Sequence, residues 1–351
     1  MGVGIPFNPW RPVDEILQAA ELALEAFDHL WMTEGGGTSR HCWTLLTAIA
    51  TRTRLSVGPC VTYPLGRDPL ELASLLATLS ELVGDSREVV LGFGTGGGGP
   101  RAFYRDDAIL RRTREFLDVV QRLVRGERVR ISEYRTLAVH GGFRETAELQ
   151  LTVPVRRSPP VILTGTGPRI LRMAGELADG VLCASNFPVH SYAAFRSGAF
   201  SHVSNLAAVD EGLRTRDSAG FRRIYGINVS VGRDGDAARA YARRQAALIV
   251  GQETDENLAR AGIDVEALTP TRVALQQGLP NEVAAARLPL AVADSLIIAG
   301  TPAECIPRVE ELRAYAASAG FEEFYVGSPL GPNAVEAVSL LAREVVPRVW
   351  A

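Results

Sequence analysis

Acid–base, nucleophilic and metal chemistry each need particular side chains at particular spacings, and this 351-residue chain offers few of them. The five histidines (His29, His41, His140, His190, His202) contain no HxH or HExxH pair, so a zinc-type site has no framework. All 37 basic residues are arginine, which excludes a Schiff-base lysine and a lysine-bearing phosphate loop. Cys42, Cys60, Cys183 and Cys305 form no CxxC pair, and four cysteines are too few to staple a chain of this length. Three places remain. The stretch Pro160-Val161-Ile162-Leu163-Thr164-Gly165-Thr166-Gly167-Pro168 reads as a buried strand opening through a glycine turn into a helix that starts at proline. The free N–H groups of such a first turn attract anions, and glycine lets the backbone approach a phosphate, although the same turn also serves plain structure. Gly92-Phe93-Gly94-Thr95-Gly96-Gly97-Gly98-Gly99-Pro100 is either a surface loop or the edge of a ligand site. Glu34, ahead of Gly35-Gly36-Gly37, is a carboxylate followed closely by Arg40 and His41. It could serve proton transfer, cap the glycine loop or pair with Arg40; His41 could supply an acid or simply pack at a helix start.

These residues need elements to position them. Short apolar runs alternate with amphipathic segments, which predicts parallel strands joined by crossover helices. Strands are expected at 2–6, 29–33, 55–62, 89–93, 161–163, 180–183, 224–231 and 321–326, with a further short one at 295–299. Helices are expected at about 13–26, 42–51, from 69, 107–125, 168–177, 236–250, 302–319 and 333–346, the third opening with Asp68-Pro69 as N-cap and first-turn proline. Eight β-α units predict one closed (β/α)₈ TIM barrel over 1–351, with inserted loops and helices at about 128–158, 185–220 and 251–294. In that fold the active site lies at the strand C-termini, here Phe7 to Trp10, Glu34, Cys60 to Pro64, Gly94 to Gly96, Thr164 to Pro168, Ala184 to Asn186, and Gly327-Ser328. Glu34 is the one carboxylate in that set, which suits an enzyme whose cofactor carries the chemistry.

Hydrophobic residues at 46% and charged residues at 22% are ordinary for a globular core. A net charge of −3 gives no reason to expect nucleic acid, and no apolar run is long enough for a bilayer. With no basic leader ahead of an apolar stretch, a cytoplasmic location is expected.

Several segments resemble the luciferase-like flavin-dependent oxidoreductases, in particular the branch of methylenetetrahydromethanopterin reductase and deazaflavin-dependent glucose-6-phosphate dehydrogenase. They are Pro160 to Pro168 with its continuation Arg169 to Val181, Val57-Gly58-Pro59-Cys60-Val61-Thr62-Tyr63-Pro64 leading to Arg67-Asp68-Pro69, Gly92 to Gly96, Ala299 to Pro302 and Gly331-Pro332. The resemblance implies a bacterial luciferase-like barrel with a non-proline cis peptide between Cys60 and Val61. It implies a cofactor ring against Cys60, Val61 and Thr62 beside Gly94, Thr95 and Gly96, and a phosphate or tail against Thr164, Gly165, Thr166 and Gly167. The branch's Asp-His pair aligns with Glu34-Gly35, and its acid after strand four aligns with Gly97, so the sugar-phosphate dehydrogenase activity is not expected.

The function expected is therefore an oxidoreductase acting on a small organic substrate with coenzyme F420, Glu34 or His41 managing the proton. FMN with oxygen, as in a monooxygenase, is the alternative cofactor chemistry; a non-catalytic flavin-binding barrel is the alternative class. A separate reductase supplying reduced cofactor and a homodimer are the partners implied; no metal, nucleic acid or membrane is expected.

Overall fold

The computed structural model describes residues 2–35, 39–96, 108–185, 188–191, 194 and 202–351. Eight parallel strands form the barrel: β1 (Val3–Phe7), β2 (His29–Met32), β3 (Ser56–Pro59), β4 (Leu91–Phe93), β5 (Val161–Thr164), β6 (Gly180–Ala184), β7 (Arg222–Val231) and β8 (Glu323–Leu330). Ladders run β3-β2-β1-β8-β7-β6-β5-β4, and single bridges Val57–Val89 and Thr62–Phe93 close β3 onto β4. Outside lie α1 (Val13–Ala23), α2 (Cys42–Arg52), α3 (Pro69–Val83), α4 (Ile109–Val124), α5 (Pro168–Leu177), α6 (His202–Leu213), α7 (Gly235–Gln252), α8 (Pro302–Ser318) and α9 (Ala334–Leu340). Asp68 caps α3 as its sequence predicts, accepting from the N–H groups of Leu70 (2.7 Å) and Glu71 (3.1 Å).

Alternation sorts the strand residues. Ile5, Phe7, Leu30, Val57, Phe93, Leu163, Ile227 and Val326 face the helices in the main core. Trp31, Val90, Ile162, Leu182, Ile224 and Tyr325 form a separate cluster inside the barrel. Two of these are large, and glycine opposite makes the room: a Cβ on Gly226 would stand 2.1 Å from the Tyr325 ring. The lumen is thus a packed core below the strand C-termini rather than a channel.

At the N-terminal end Arg222 is held by Glu323 (2.6 Å) and Glu88 (2.8 Å) around a cavity of about 130 Å³. His29 lines it beside Trp31, and burial, helped by the Arg222 guanidinium, pushes its pKa down to about 3. An unfolded histidine takes its proton near its ordinary value of about 6.5. Between those values the unfolded chain binds the extra proton, so stability is lost as pH falls from about 6.5 toward 3. Urea midpoints across this range should fall with pH, and His29→Gln should flatten that limb; an unchanged slope in the variant would place the acid sensitivity elsewhere.

Between α4 and β5, Val129–Arg130 and Glu148–Leu149 pair antiparallel around a short helix, Arg135–Gly141. Between α7 and α8, the short helices Asp255–Arg260, Thr269–Gln276, Asn281–Arg287 and Leu290–Leu296 are followed by a three-residue strand, Ile298–Gly300, that pairs with the end of β7. The first, third and fourth of these helices share a second apolar cluster with α7, which includes Ala246, Val250, Leu258, Leu268 and Leu288. The short strand begins three residues later than its sequence suggests because Ser295 and Leu296 finish the preceding helix. Among the described residues no helix is long and apolar enough to cross a membrane.

Candidate active site

Continuing the alternation past the inner core puts one side chain from each strand around the mouth: Asn8, Thr33, Cys60, Gly94, Thr164, Ala184, Asn228 and, beyond an irregularity in β8, Ser328. The ring divides into two halves of different chemistry.

On β3, β4 and β5 the residues are small. The Cys60–Val61 peptide is cis, as the family resemblance implies. Cys60 N–H donates to the Met32 carbonyl (2.7 Å), Thr62 N–H to Gly92 (2.9 Å) and Gly94 N–H to Thr62 (3.0 Å), so the turn is tied to the strands on both sides. A Cβ on Gly94 would meet Val61 Cγ2 at 3.1 Å and Thr164 Cγ2 at 3.4 Å, which brings three of the expected cofactor residues around one bare backbone position. Burial pushes the Cys60 thiol up to about 12, so it is a neutral apolar surface rather than a nucleophile. Thr62 is fully buried, and its hydroxyl has no hydrogen-bond partner among the described residues. Thr95 and Gly96 continue the turn, with Gly96 in the left-handed region (φ 81°), while Gly97 to Pro100 lie outside the described residues.

Thr164 Oγ1 donates to the Leu182 carbonyl (2.8 Å). Beyond it Gly165, Thr166 and Gly167 are half-buried. Gly167 precedes α5 and Pro168 occupies the first turn, and among the described residues no side chain caps that turn. The two glycines differ. A Cβ on Gly165 would stand 2.3 Å from Ile170 Cγ2, whereas one on Gly167 would meet nothing within 4 Å.

Glu34 follows β2 and pairs with Arg67, not with Arg40. Arg67 also bonds Glu71 (3.1 Å) and stacks over the Trp43 ring (5.8 Å), which ties the loop after β2 to the one after β3. The second Glu34 oxygen, Oε2, is buried without a partner among the described residues. Arg40 instead donates to the Trp10 carbonyl (2.8 Å). His41 is exposed and serves as the N-cap of α2, accepting from Thr44 N–H at 3.4 Å. Gly36 and Gly37 of this loop lie outside the described residues.

The other half of the mouth is a chain of neutral hydrogen bonds. Thr33 Oγ1 donates to Asn8 Oδ1 (2.8 Å), and Asn8 Nδ2 donates to Ser328 Oγ (3.3 Å). Asn228 Nδ2 donates to the Ser328 carbonyl (2.9 Å), while Ser185 Oγ donates to Asn228 Oδ1 (3.2 Å) and accepts from Asn228 N–H (2.8 Å). Asn8, Ser185 and Ser328 stand in the strand-end set read from the sequence; Thr33 and Asn228 do not. Period-two counting from Trp31 and from Ile224 would have found both.

Comparisons with known proteins place the chain in a family. The family described as luciferase-like monooxygenase matches residues 3–340. A 5,10-methylenetetrahydromethanopterin reductase of Archaeoglobus fulgidus is 28% identical over 99% of this chain and 100% of its own. The solved structure of coenzyme F420 dependent tetrahydromethanopterin reductase from Methanopyrus kandleri matches with TM-score 0.77, at 23% identity over 99% of each chain. An F420-dependent secondary alcohol dehydrogenase, in complex with an F420-acetone adduct, matches with TM-score 0.70 at 19% identity over 99% of each. At such identities the two structures speak for the fold. The chain belongs to the luciferase-like monooxygenase family and is an oxidoreductase on that family's (β/α)₈ barrel.

Proposed function

We propose that this oxidoreductase takes coenzyme F420 into the barrel mouth and exchanges a hydride with a small organic substrate. The observation that carries the reading is the close packing of Val61 and Thr164 against Gly94, which draws the small residues that end β3, β4 and β5 together at the mouth, with the neutral Cys60 thiol beside them and a Thr62 hydroxyl that has no partner among the described residues. Relatives described as F420-dependent dehydrogenases, which match 97–98% of the chain, favour the deazaflavin. In this reading the ring lies on Cys60, Val61 and Thr62, edged by Gly94, Thr95 and Gly96, and the phosphate-bearing tail meets Thr164 to Gly167 at the start of α5. The deazaflavin supplies or accepts the hydride; the protein orients it and manages the proton. Glu34 is the group proposed for the proton, because its Oε2 has no partner among the described residues while Arg67 fixes Oε1. His41, committed to its cap, is the weaker candidate. A cytoplasmic homodimer supplied by a separate reductase completes the proposal. Fluorescence titration with oxidised F420, set beside the same titration with FMN, tests it. Tight F420 binding and indifference to FMN is the expected result; preference for FMN, with oxygen consumed, would make this a monooxygenase.

The α5 turn supplies a second test, and it separates two glycines that look equivalent in sequence. Gly167→Val adds bulk where the protein leaves open space, so F420 affinity should fall about tenfold or more while the melting temperature barely moves. Gly165→Val drives a side chain into Ile170 and should destabilise the fold by about 1–3 kcal/mol. An unchanged F420 dissociation constant in Gly167→Val would leave that glycine a turn former.

A further inference from the structure

The neutral half of the mouth takes no part in the cofactor seat, yet it is the more elaborately fixed half. We propose that Asn8 and Ser328 form a two-donor site for the carbonyl oxygen of an uncharged substrate; this rests on the hydride-transfer reading above. Thr33 occupies Asn8 Oδ1, which sets the amide so that Nδ2 faces Ser328. One Nδ2 hydrogen goes to Ser328 Oγ, and the other has no acceptor among the described residues. Ser328 Oγ accepts that bond and keeps its own O–H to give. Both side chains are half-buried at the mouth, and their heavy atoms, 3.3 Å apart, can reach one oxygen together.

The support behind them is rigid. Ser328 stands in the left-handed backbone region (φ 50°), as does Leu330 (φ 75°), a conformation non-glycine residues adopt only where their surroundings demand it. Its carbonyl is held by Asn228, which is 2% exposed and is held in turn by Ser185. Position gives the site its meaning. In a ring of eight strands β8 lies opposite β4 and β1 opposite β5, so the donor pair faces Gly94 and Thr164 across the mouth. A carbonyl compound bridging the gap points its oxygen at Asn8 and Ser328 and its carbon at the cofactor seat. As hydride from the reduced deazaflavin adds to that carbon, the C=O π pair moves onto the oxygen, where the two donors hold the developing charge. A proton from Glu34, the residue after Thr33, completes the alcohol. Neutral donors suit this task, since a fixed cation would also hold phosphorylated or carboxylated molecules.

The test uses 2-cyclohexen-1-one as the probe. Its binding is followed by ligand-detected NMR on the full chain, with and without F420, in wild type, Ser328→Ala and Asn8→Asp. The second variant keeps the size and replaces the amide donor by an acceptor. Wild type should bind the probe, both variants should bind it at least fivefold more weakly, and their F420 dissociation constants should stay within twofold of wild type. With reduced F420 supplied as the hydride donor, Ser328→Ala should lower kcat for the probe more than it raises KM. Failure of F420 to bind wild type overturns the deazaflavin reading, while the cofactor-free titration still decides the donor pair. Equal probe affinity in wild type and Ser328→Ala, or no probe binding by wild type in either state, overturns the inference. Melting temperatures identify a variant that fails to fold; should Asn8→Asp do so, Ser328→Ala alone decides.

Discussion

Glu34→Gln is expected to lower kcat by about 10²–10⁴ at saturating cofactor, the usual consequence of removing a positioned acid or base. The substitution keeps the shape of the side chain and one oxygen for Arg67, and removes only the capacity to carry the proton. The carboxylate has two duties in the structure, however. Oε1 braces the loop after β2 against Arg67 and through it against Glu71, and Oε2 has no partner among the described residues. Arg67→Met separates them, since it removes the brace and spares the carboxylate. Pre-steady-state hydride transfer should be crippled in Glu34→Gln and only modestly slowed in Arg67→Met. Turnover of Glu34→Gln within about threefold of wild type would assign Glu34 to the brace alone.

A comparably large effect, on stability, is expected at the seam where the barrel closes. Among the described residues two single bridges join β3 and β4, and their backbones approach closely there. A Cβ on Gly58 would stand 2.0 Å from the Val90 carbonyl oxygen, and one on Gly92 would stand 2.2 Å from that of Pro59. Backbone, unlike the end of a flexible side chain, cannot step aside without breaking the bridges. Gly58→Ala should therefore lose about 3 kcal/mol or more, the upper end of what overpacking costs. Denaturant unfolding measures it, and a loss below about 1 kcal/mol would show that the seam gives way freely.

The barrel was legible in the sequence because its signals are local. Val161 to Leu163 and Gly180 to Cys183 are buried runs between breakers, and Asp68-Pro69 and Thr301-Pro302 announce helix starts; Thr301 and Glu304 form a reciprocal capping box. The cis Cys60–Val61 bond was legible only through family resemblance, because no composition or periodicity encodes it. Glu34 shows the opposite case. Sequence proximity suggested Arg40, but the partner is Arg67, which lies 33 residues away and is close only once β2 and β3 are paired. The Asn8–Ser328 contact spans 320 residues and depends on barrel closure, so no short-range pattern could reveal it. Asn228 escaped attention because β7 runs to Val231, well past the point where the other strands reach the mouth.

The second apolar cluster, behind α7, bears on how such a chain can diverge. Its alanines and leucines pack among themselves and against α7 rather than into the main core. The segment from Asp255 to Leu296 leaves from α7, returns through the Ile298–Gly300 strand, and so is clamped to the scaffold at both ends. One of its helices, Asp255–Arg260, packs against the short turn Pro188–His190 beyond β6, on the side where the mouth opens. Mutations accumulating in this lobe are thus answered by neighbours within it, and descendants can remodel one wall of the entrance while the inherited frame stays under separate constraint.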